Sequence, residues 1–195
     1  AQDPKVHFRR QPLLLEGYRF LAVFRLVALA FDRPRFLGAG GVFSIARNAA
    51  EVQEAQRIRF KVFAEEMGAN LPNAQIGLDI DRFDQHCDHL LVRDGDSQKV
   101  VGTYRILPPE KAVTAGGYYS ETEFDMSRLA HLRSRMAEVG RSCVHEDFRD
   151  GATIMQLWSG LANYITQHDH DYLIGCASIS MADGGHYAAS VFNKI

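Results

Sequence analysis

The stretch EVGRSCVHEDFR carries a carboxylate at Glu138, a guanidinium at Arg141, a thiol at Cys143 and an imidazole at His145, and closes on Arg149. Three chemistries can be assembled from these types: an acid–base pocket around Glu138 and Arg141, a thiol–imidazole nucleophile, or a metal site. The nucleophile is poorly supported. Cys143 and His145 alternate on a strand and so share a face, but no glycine elbow and no orienting carboxylate flank them. Cys143 and Cys176 both lie in apolar runs and read as small core residues.

A metal fares no better. DQHCDH brings together Asp84, His86, Cys87, Asp88 and His89. Read as a strand, however, it sends Cys87 and His89 one way and His86 and Asp88 the other. No second Cys-x-x-Cys or His-x-x-x-His completes a four-ligand set, so no metal is expected. HDHD (His168 to Asp171) falls at a helix end, where imidazolium complements the dipole.

What remains is a set of carboxylates and arginines at short spacings: Asp79-x-Asp81-x-x-Asp84, Arg105, and Glu138-x-x-Arg141. On a regular strand Glu138 and Arg141 face opposite sides unless the strand bulges. The spacing leaves two readings open, surface ion pairs of little energetic weight or a polar pocket for a zwitterion whose amine must lose a proton.

The elements that must position these residues alternate along the chain. VFSIAR reads as a short strand, and Asn48 as the N-cap of a helix running to about Met67. HLLVRD and VVGTYRIL form a hairpin around GDSQ, ended by Pro108 and Pro109. GGYYSETEFD is a loop leading to a short helix near Leu129. MAEVGRSCV is a strand, ATIMQLWSGLANYITQH an amphipathic helix, YLIGCASI a buried strand, and a last helix begins at Asp183. This order predicts an α/β fold, a mixed central sheet with helices on both faces.

The 195 residues, 46% hydrophobic and 24% charged, have globular composition. The net charge of −2 hides an asymmetry, because residues 1–61 hold eleven Lys/Arg against five Asp/Glu. A basic leading third suits an anionic partner or an ordinary solvated face. Three unpaired cysteines read as a reducing, cytoplasmic setting. LLLEGYRFLAVFRLVALAF (Leu13 to Phe31) is long enough to span a bilayer, but an arginine near mid-span costs about 2.5–3.5 kcal/mol. Its charges sweep one half of a helical wheel. The expectation is an amphipathic helix, lying at a membrane interface or packed on the domain. The chain thus divides into a basic amphipathic segment, 1–41, and an α/β domain, 42–195.

Several blocks carry a family resemblance. IRFKVFAEE, Asp-x-Asp-x-x-Asp, CDHLLVRD with VVGTYRIL, and Glu-x-x-Arg before a strand end and helix resemble, in order and spacing, the acyl-homoserine-lactone synthases of the GNAT acyltransferase fold. FAEEMGA, FDQHCDHLLV, GGYYSETEFD, GRSCVHEDFRDG, LWSGLANY and YLIGCASI resemble more closely the ornithine N-acyltransferases of ornithine-lipid synthesis, sometimes labelled hemolysin-like. The resemblance spans about Phe43 to Ser180.

It implies transfer of a fatty acyl group, 3-hydroxylated, from the phosphopantetheine thioester of acyl carrier protein to the α-amine of ornithine, with no permanently bound cofactor. It implies Arg59, Asp81, Asp84, Arg105, Glu138 and Arg141 as the charged positions of an acceptor pocket. Asp79 and Phe63 join them, the latter near the acyl path. Glu138 or an aspartate-held water is the expected base, Arg105 or Arg141 the expected carboxylate ligand, and Asp81 or Asp84 the expected ammonium ligand. The backbone at Cys143 and Val144 is expected to offer oxyanion donors, and Arg149 with the amides from Gly151 and Ala152 to meet the donor phosphate. The glycine-poor loop Arg149-Asp-Gly-Ala-Thr favours carrier-borne phosphopantetheine over coenzyme A. Partners implied are acyl carrier protein and an anionic membrane, the protein sitting peripherally on the inner face of a bacterial inner membrane. The resemblance also implies further strands and part of the acceptor pocket beyond Ile195.

Overall fold

The structure, a computed structural model, describes residues 17–25, 42–180 and 183–192. In chain order its elements are β1 (Gly17–Arg25), β2 (Val42–Ile45), α1 (Ala49–Phe60), β3 (Asp88–Arg93), β4 (Val100–Leu107), α2 (Pro109–Thr114), β5 (Met136–Val144), α3 (Ala152–Gln167), β6 (Tyr172–Ser180) and α4 (His186–Phe192).

Local chemistry sets the boundaries. Asn48 is extended, and its Oδ1 accepts the Glu51 N–H at 3.0 Å, which starts α1 where the sequence places it. α1 does not stop at Phe60 but widens into a π-helical turn over Lys61–Glu66. The β3–β4 hairpin is closed by Asp94, whose carboxylate accepts the Ser97 N–H at 2.8 Å and hydroxyl at 2.6 Å. Pro108 and Pro109 end β4 and also open α2, with Pro109 in the first turn. The sequence reading took only the first of these roles from the two prolines.

Six strands form one sheet in the order β1-β6-β5-β4-β3-β2. β5 and β6 run parallel and every other neighbouring pair is antiparallel. The mixed sheet with a helix on each face is thereby as expected. α3 presents Leu157, Leu161, Tyr164 and Ile165 to Leu90, Val92, Ile106, Val139 and Leu173. Full burial of such side chains contributes about 1.5–3 kcal/mol each. Gly160 permits this approach, since a Cβ there would lie 2.8 Å from Leu90 and 3.0 Å from Phe43. On the other face α1 packs Ile58, with Val62 beyond it, on Cys143. A third cluster joins Phe83, Leu107, Tyr118, Met136 and Ile174 beneath α2.

One expectation is corrected. Within the segment read as an amphipathic helix, Leu13 to Phe31, residues 17–25 are β1, paired with β6 over nine positions from Gly17↔Ser180 to Arg25↔Tyr172. Aromatic and branched residues suit a strand as well as a helix face, and pairing completes the hydrogen bonds of the β6 edge. Residues 13–16 and 26–31 lie outside the described residues. This part of the basic segment is built into the sheet.

Candidate active site

The β5–β6 ladder lasts only from Met136↔Tyr172 to Glu138↔Ile174. Beyond it the strands part, and a cavity of about 810 Å³ fills the wedge, walled by residues 139–144 on one side and 175–178 on the other. Gly175 sits at the apex. A Cβ there would lie 2.6 Å from the Val139 carbonyl oxygen, so a side chain would force the apex open.

β5 bulges inside this wall. Thr103 pairs with Cys143 and Arg105 with Gly140, so Arg141 and Ser142 together face Tyr104. Arg141 takes a left-handed backbone, φ 51°, which costs a non-glycine residue roughly 1–2 kcal/mol. The extra residue reverses the strand's parity. It turns Arg141 toward the aspartates that Arg105 also meets, which a regular strand would forbid.

Those side chains interlock. Arg59, with no exposed surface, sets Nε 2.9 Å from Asp79 Oδ2 and Nη2 2.8 Å from Asp84 Oδ2. Its Nη2 also donates to the Asp79 carbonyl. Arg105 Nη1 donates to Asp81 Oδ1 at 2.7 Å and to Asp84 Oδ1 at 3.0 Å. Arg141 is held more loosely, its Nη2 3.4 Å from Asp81 Oδ2 and its Nε 3.6 Å from Asp79 Oδ2. Burial would raise the Asp84 carboxyl, but Arg59 and Arg105 outweigh it and hold it down at about 2. Asp81 is lowered in the same way, burial opposing and Arg105 prevailing. Despite its own burial, Arg105 is raised by Asp81. The network is a balanced set of three guanidiniums and three carboxylates.

Glu138 is different. It is buried and lines the cavity, yet among the described residues it has no ion-pair partner. The loop after α2 clamps it instead. Tyr119 N–H donates to Oε2 at 2.7 Å, Ser120 N–H to Oε1 at 2.7 Å, and the Ser120 hydroxyl to Oε1 as well. Burial raises its carboxyl above the usual range, and the Ser120 and Tyr119 hydrogen bonds only partly offset this. A carboxylate with a raised proton affinity on a cavity wall is suited to accept a proton.

The other end of the cavity lies beside the start of α3. Arg149 lines it, donating through Nε to the Val144 carbonyl at 3.0 Å and through Nη2 to Glu66 Oε2 at 2.5 Å. Gly151 precedes α3 with φ 93°, and the Ala152 N–H is taken by Asp150 Oδ1 at 3.0 Å. Trp158 reaches the cavity from α3, its ring edge-on to Tyr104 at 6.4 Å.

Of the residues singled out in the sequence, Phe63, Cys87, Arg105, Glu138, Arg141, Cys143, Val144, Arg149 and Cys176 line the cavity. Arg59, Asp79, Asp81 and Asp84 stand behind that wall, and Gly151 and Ala152 are outside the lining. Burial pushes the Cys143 thiol up to about 12, as befits a side chain packed on Ile58 and Val62. Cys87 and His86 are not on a strand. Asp84–His86 is a 3-10 turn and β3 begins at Asp88. Among the described residues no group of three or more His, Cys, Asp and Glu is placed to hold a metal ion. Among them also, no helix is long and apolar enough to cross a membrane.

Sequence reasoning missed the Tyr119–Ser120 clamp, Glu66 and Gly175. The clamp joins positions 18 residues apart, which no local spacing reveals. Gly175 interrupts an otherwise apolar strand, a signal of close backbone approach that was legible.

The family profile described as acetyltransferase (GNAT) domain matches residues 58–159, just over half of the chain. The L-ornithine N(alpha)-acyltransferase of Agrobacterium fabrum is 45% identical over 143 residues, covering 69% of this chain and 49% of its own length. That of Rhodobacter capsulatus is 38% identical over 146 residues, covering 71% and 56%. The chain thus spans about half the length of the curated relatives it matches. The crystal structure of TofI in a ternary complex with an inhibitor and MTA superposes with a TM-score of 0.51 at 19% identity, over 70% of this chain and 71% of that one. The AHL synthase LasI gives 0.50 at 18%, over 71% and 72%. At these identities the two structures speak to the fold, and they agree with the sheet described above. Profile and fold together lead to one assignment: the chain belongs to the acetyltransferase (GNAT) domain family.

Proposed function

We propose that the chain carries the catalytic core of an N-acyltransferase that moves a fatty acyl group, 3-hydroxylated, from the phosphopantetheine thioester of acyl carrier protein to the α-amine of ornithine. The observation that carries this reading is Glu138, a buried carboxylate of raised proton affinity, without an arginine partner, on the wall of a cavity opened between parted parallel strands. The choice of ornithine as acceptor is supported by the relatives, which are L-ornithine N(alpha)-acyltransferases.

In this reading the thioester lies along β5 with its carbonyl near the bulge. Glu138 takes a proton from the acceptor's ammonium, directly or through water, and the freed amine attacks the thioester carbonyl. The amide C–N bond forms and the C–S bond breaks. The thiolate leaves and takes one of the two protons still on the nitrogen, the other staying on the amide. The Val144 N–H, which strand alternation turns away from β4, stabilises the oxyanion, while the Cys143 N–H faces Thr103 of β4 and stays in the sheet. Arg105 and Asp84 are committed to buried pairs, so they act by holding the wall. Arg141, loosely paired and 30% exposed, suits the α-carboxylate, and Asp81 suits the side-chain ammonium once Arg141 turns away.

The test is to incubate acyl carrier protein bearing a 3-hydroxy fatty acyl group with ornithine, lysine, homoserine and S-adenosylmethionine, and to follow free thiol and the N-acyl product. Ornithine should give the highest kcat/KM. No thiol release with any amine overturns the enzyme reading, and a preference for S-adenosylmethionine overturns the acceptor.

A further inference from the structure

The cation that should meet a donor phosphate is already occupied. Arg149 Nη2 is 2.5 Å from Glu66 Oε2, and its Nε is spent on the Val144 carbonyl at 3.0 Å. Glu66 ends the π-helical turn that extends α1, and both it and Arg149 line the cavity. Outside the lining a second pair joins the same two segments, Lys61 Nζ to Glu146 Oε1 at 3.0 Å, with Lys61 also 2.7 Å from His145 Nε2. Asp147 sits 3.6 Å from His145 Nδ1. The amide of Ala152, the first in α3, is capped by Asp150 rather than left open. Beside this end of the cavity the π-helical turn and the stretch before α3 thus carry two cations, Lys61 and Arg149, with four carboxylates, Glu66, Glu146, Asp147 and Asp150, of which Arg149 and Glu66 reach the lining.

We propose that Glu66 and Asp150 are donor-selectivity residues that exclude coenzyme A while admitting a phosphopantetheine arm that ends in a single phosphodiester. The inference rests on the acyl-thioester reading of the cavity and names residues that the reading itself does not use. A phosphodiester brings one negative charge, which Arg149 can meet by exchanging Glu66 for the phosphate. Coenzyme A brings a pyrophosphate and a 3′-phosphate. It needs several open amides at the start of α3 and a positive field, and it meets a capped amide, an Arg149 already paired with Glu66, and an excess of carboxylates in the segments beside them. Each extra carboxylate a few ångströms from an added phosphate weakens binding about fivefold in a solvent-exposed setting.

The experiment is calorimetric titration of the wild-type chain, Glu66→Gln and Asp150→Asn with two probes that share the same arm, coenzyme A and a phosphopantetheinyl-serine peptide. The wild type should bind the peptide more tightly than coenzyme A. Each substitution should tighten coenzyme A about fivefold, more than it changes the peptide, and low salt should widen the gap. Glu54→Gln, which removes a pair with Arg93 away from the mouth, should leave the ratio unchanged. An unchanged ratio in both mouth variants, or failure of the wild type to bind either probe, overturns the proposal. Binding is read without turnover, so a chain that discriminates as expected yet transfers no acyl group separates this inference from the enzyme reading.

Discussion

The two ends of the cavity are built on opposite principles. At the end proposed for the acceptor, Arg59, Asp79, Asp84 and Arg105 are each under a tenth exposed and interlock across α1, the turn before β3, and β4. At the end proposed for the donor, the side chains of Arg149 and of Lys61 beside it are 46% and 35% exposed, and their partners come from the π-helical turn and from the short stretch between β5 and α3. The first end is fixed before any ligand arrives. The second is held by solvent-screened pairs that a ligand can exchange. Orienting an amine for attack needs rigid geometry, whereas admitting a long flexible arm needs contacts that can be broken.

The sharpest way to break this contrast is Glu138→Gln. Loss of a general base should lower turnover by about 10² to 10⁴-fold. The folded state raises the Glu138 pKa. Its ionised form therefore costs stability as pH rises from the unfolded value through the folded one. Glutamine removes that cost but sets an amide donor against the Tyr119 N–H, so thermal denaturation at pH 7 should show a net loss of at most about 1–3 kcal/mol. Next is Asp84→Ala, which leaves three guanidiniums facing two carboxylates with one buried charge uncompensated, and should cost about 3–5 kcal/mol by urea titration. Glu66→Ala, at the exchangeable end, should cost at most about 1 kcal/mol. Acid should mirror this order. With its carboxyl held at about 2, Asp84 contributes stability at pH values above the ordinary carboxylate range. That contribution disappears as pH falls toward 2.

A smaller effect sharpens the assignment of the base. Ser120→Ala removes a hydrogen bond that lowers the Glu138 pKa. The acid limb of kcat/KM should then move up by about half a pH unit. A fold defect alone would lower the rate without moving the limb. The smallest effect is expected from Cys143→Ala, which should keep most turnover and lose about 1 kcal/mol of stability. Loss of turnover with the fold intact would restore the cysteine as a reacting group.

How much of this was legible in sequence follows the same division. Strand β5, the hairpin and helix α3 carry their own periodicity and turn residues, and they stand where the pattern places them. The charged residues of the pocket were legible as types, and the sequence could say only that Glu138 and Arg141 part company unless β5 bulges. It does bulge, and no local residue announces it, because the bulge is decided by pairing with β4. The Ser120 clamp and the Glu66–Arg149 pair join segments 18 and 83 residues apart, contacts that only the folded sheet creates. The stretch Gly17–Arg25 went the other way. Its composition fits a helix face, and the open edge of β6 made it a strand.

The early parting of β5 and β6 has a consequence for motion as well as for binding. Two strands that separate after three paired positions leave main-chain groups in the sheet interior whose hydrogen bonds depend on what occupies the wedge. Among the amides from Val139 to Ser142 and from Gly175 to Ser178, those that face the wedge rather than β4 or β1 should exchange with deuterium faster in the empty protein than the paired ones from Met136 to Glu138, and should slow when an acyl-bearing arm is laid between them. The middle of this sheet, ordinarily the slowest-opening part of a fold, would then report directly on donor occupancy.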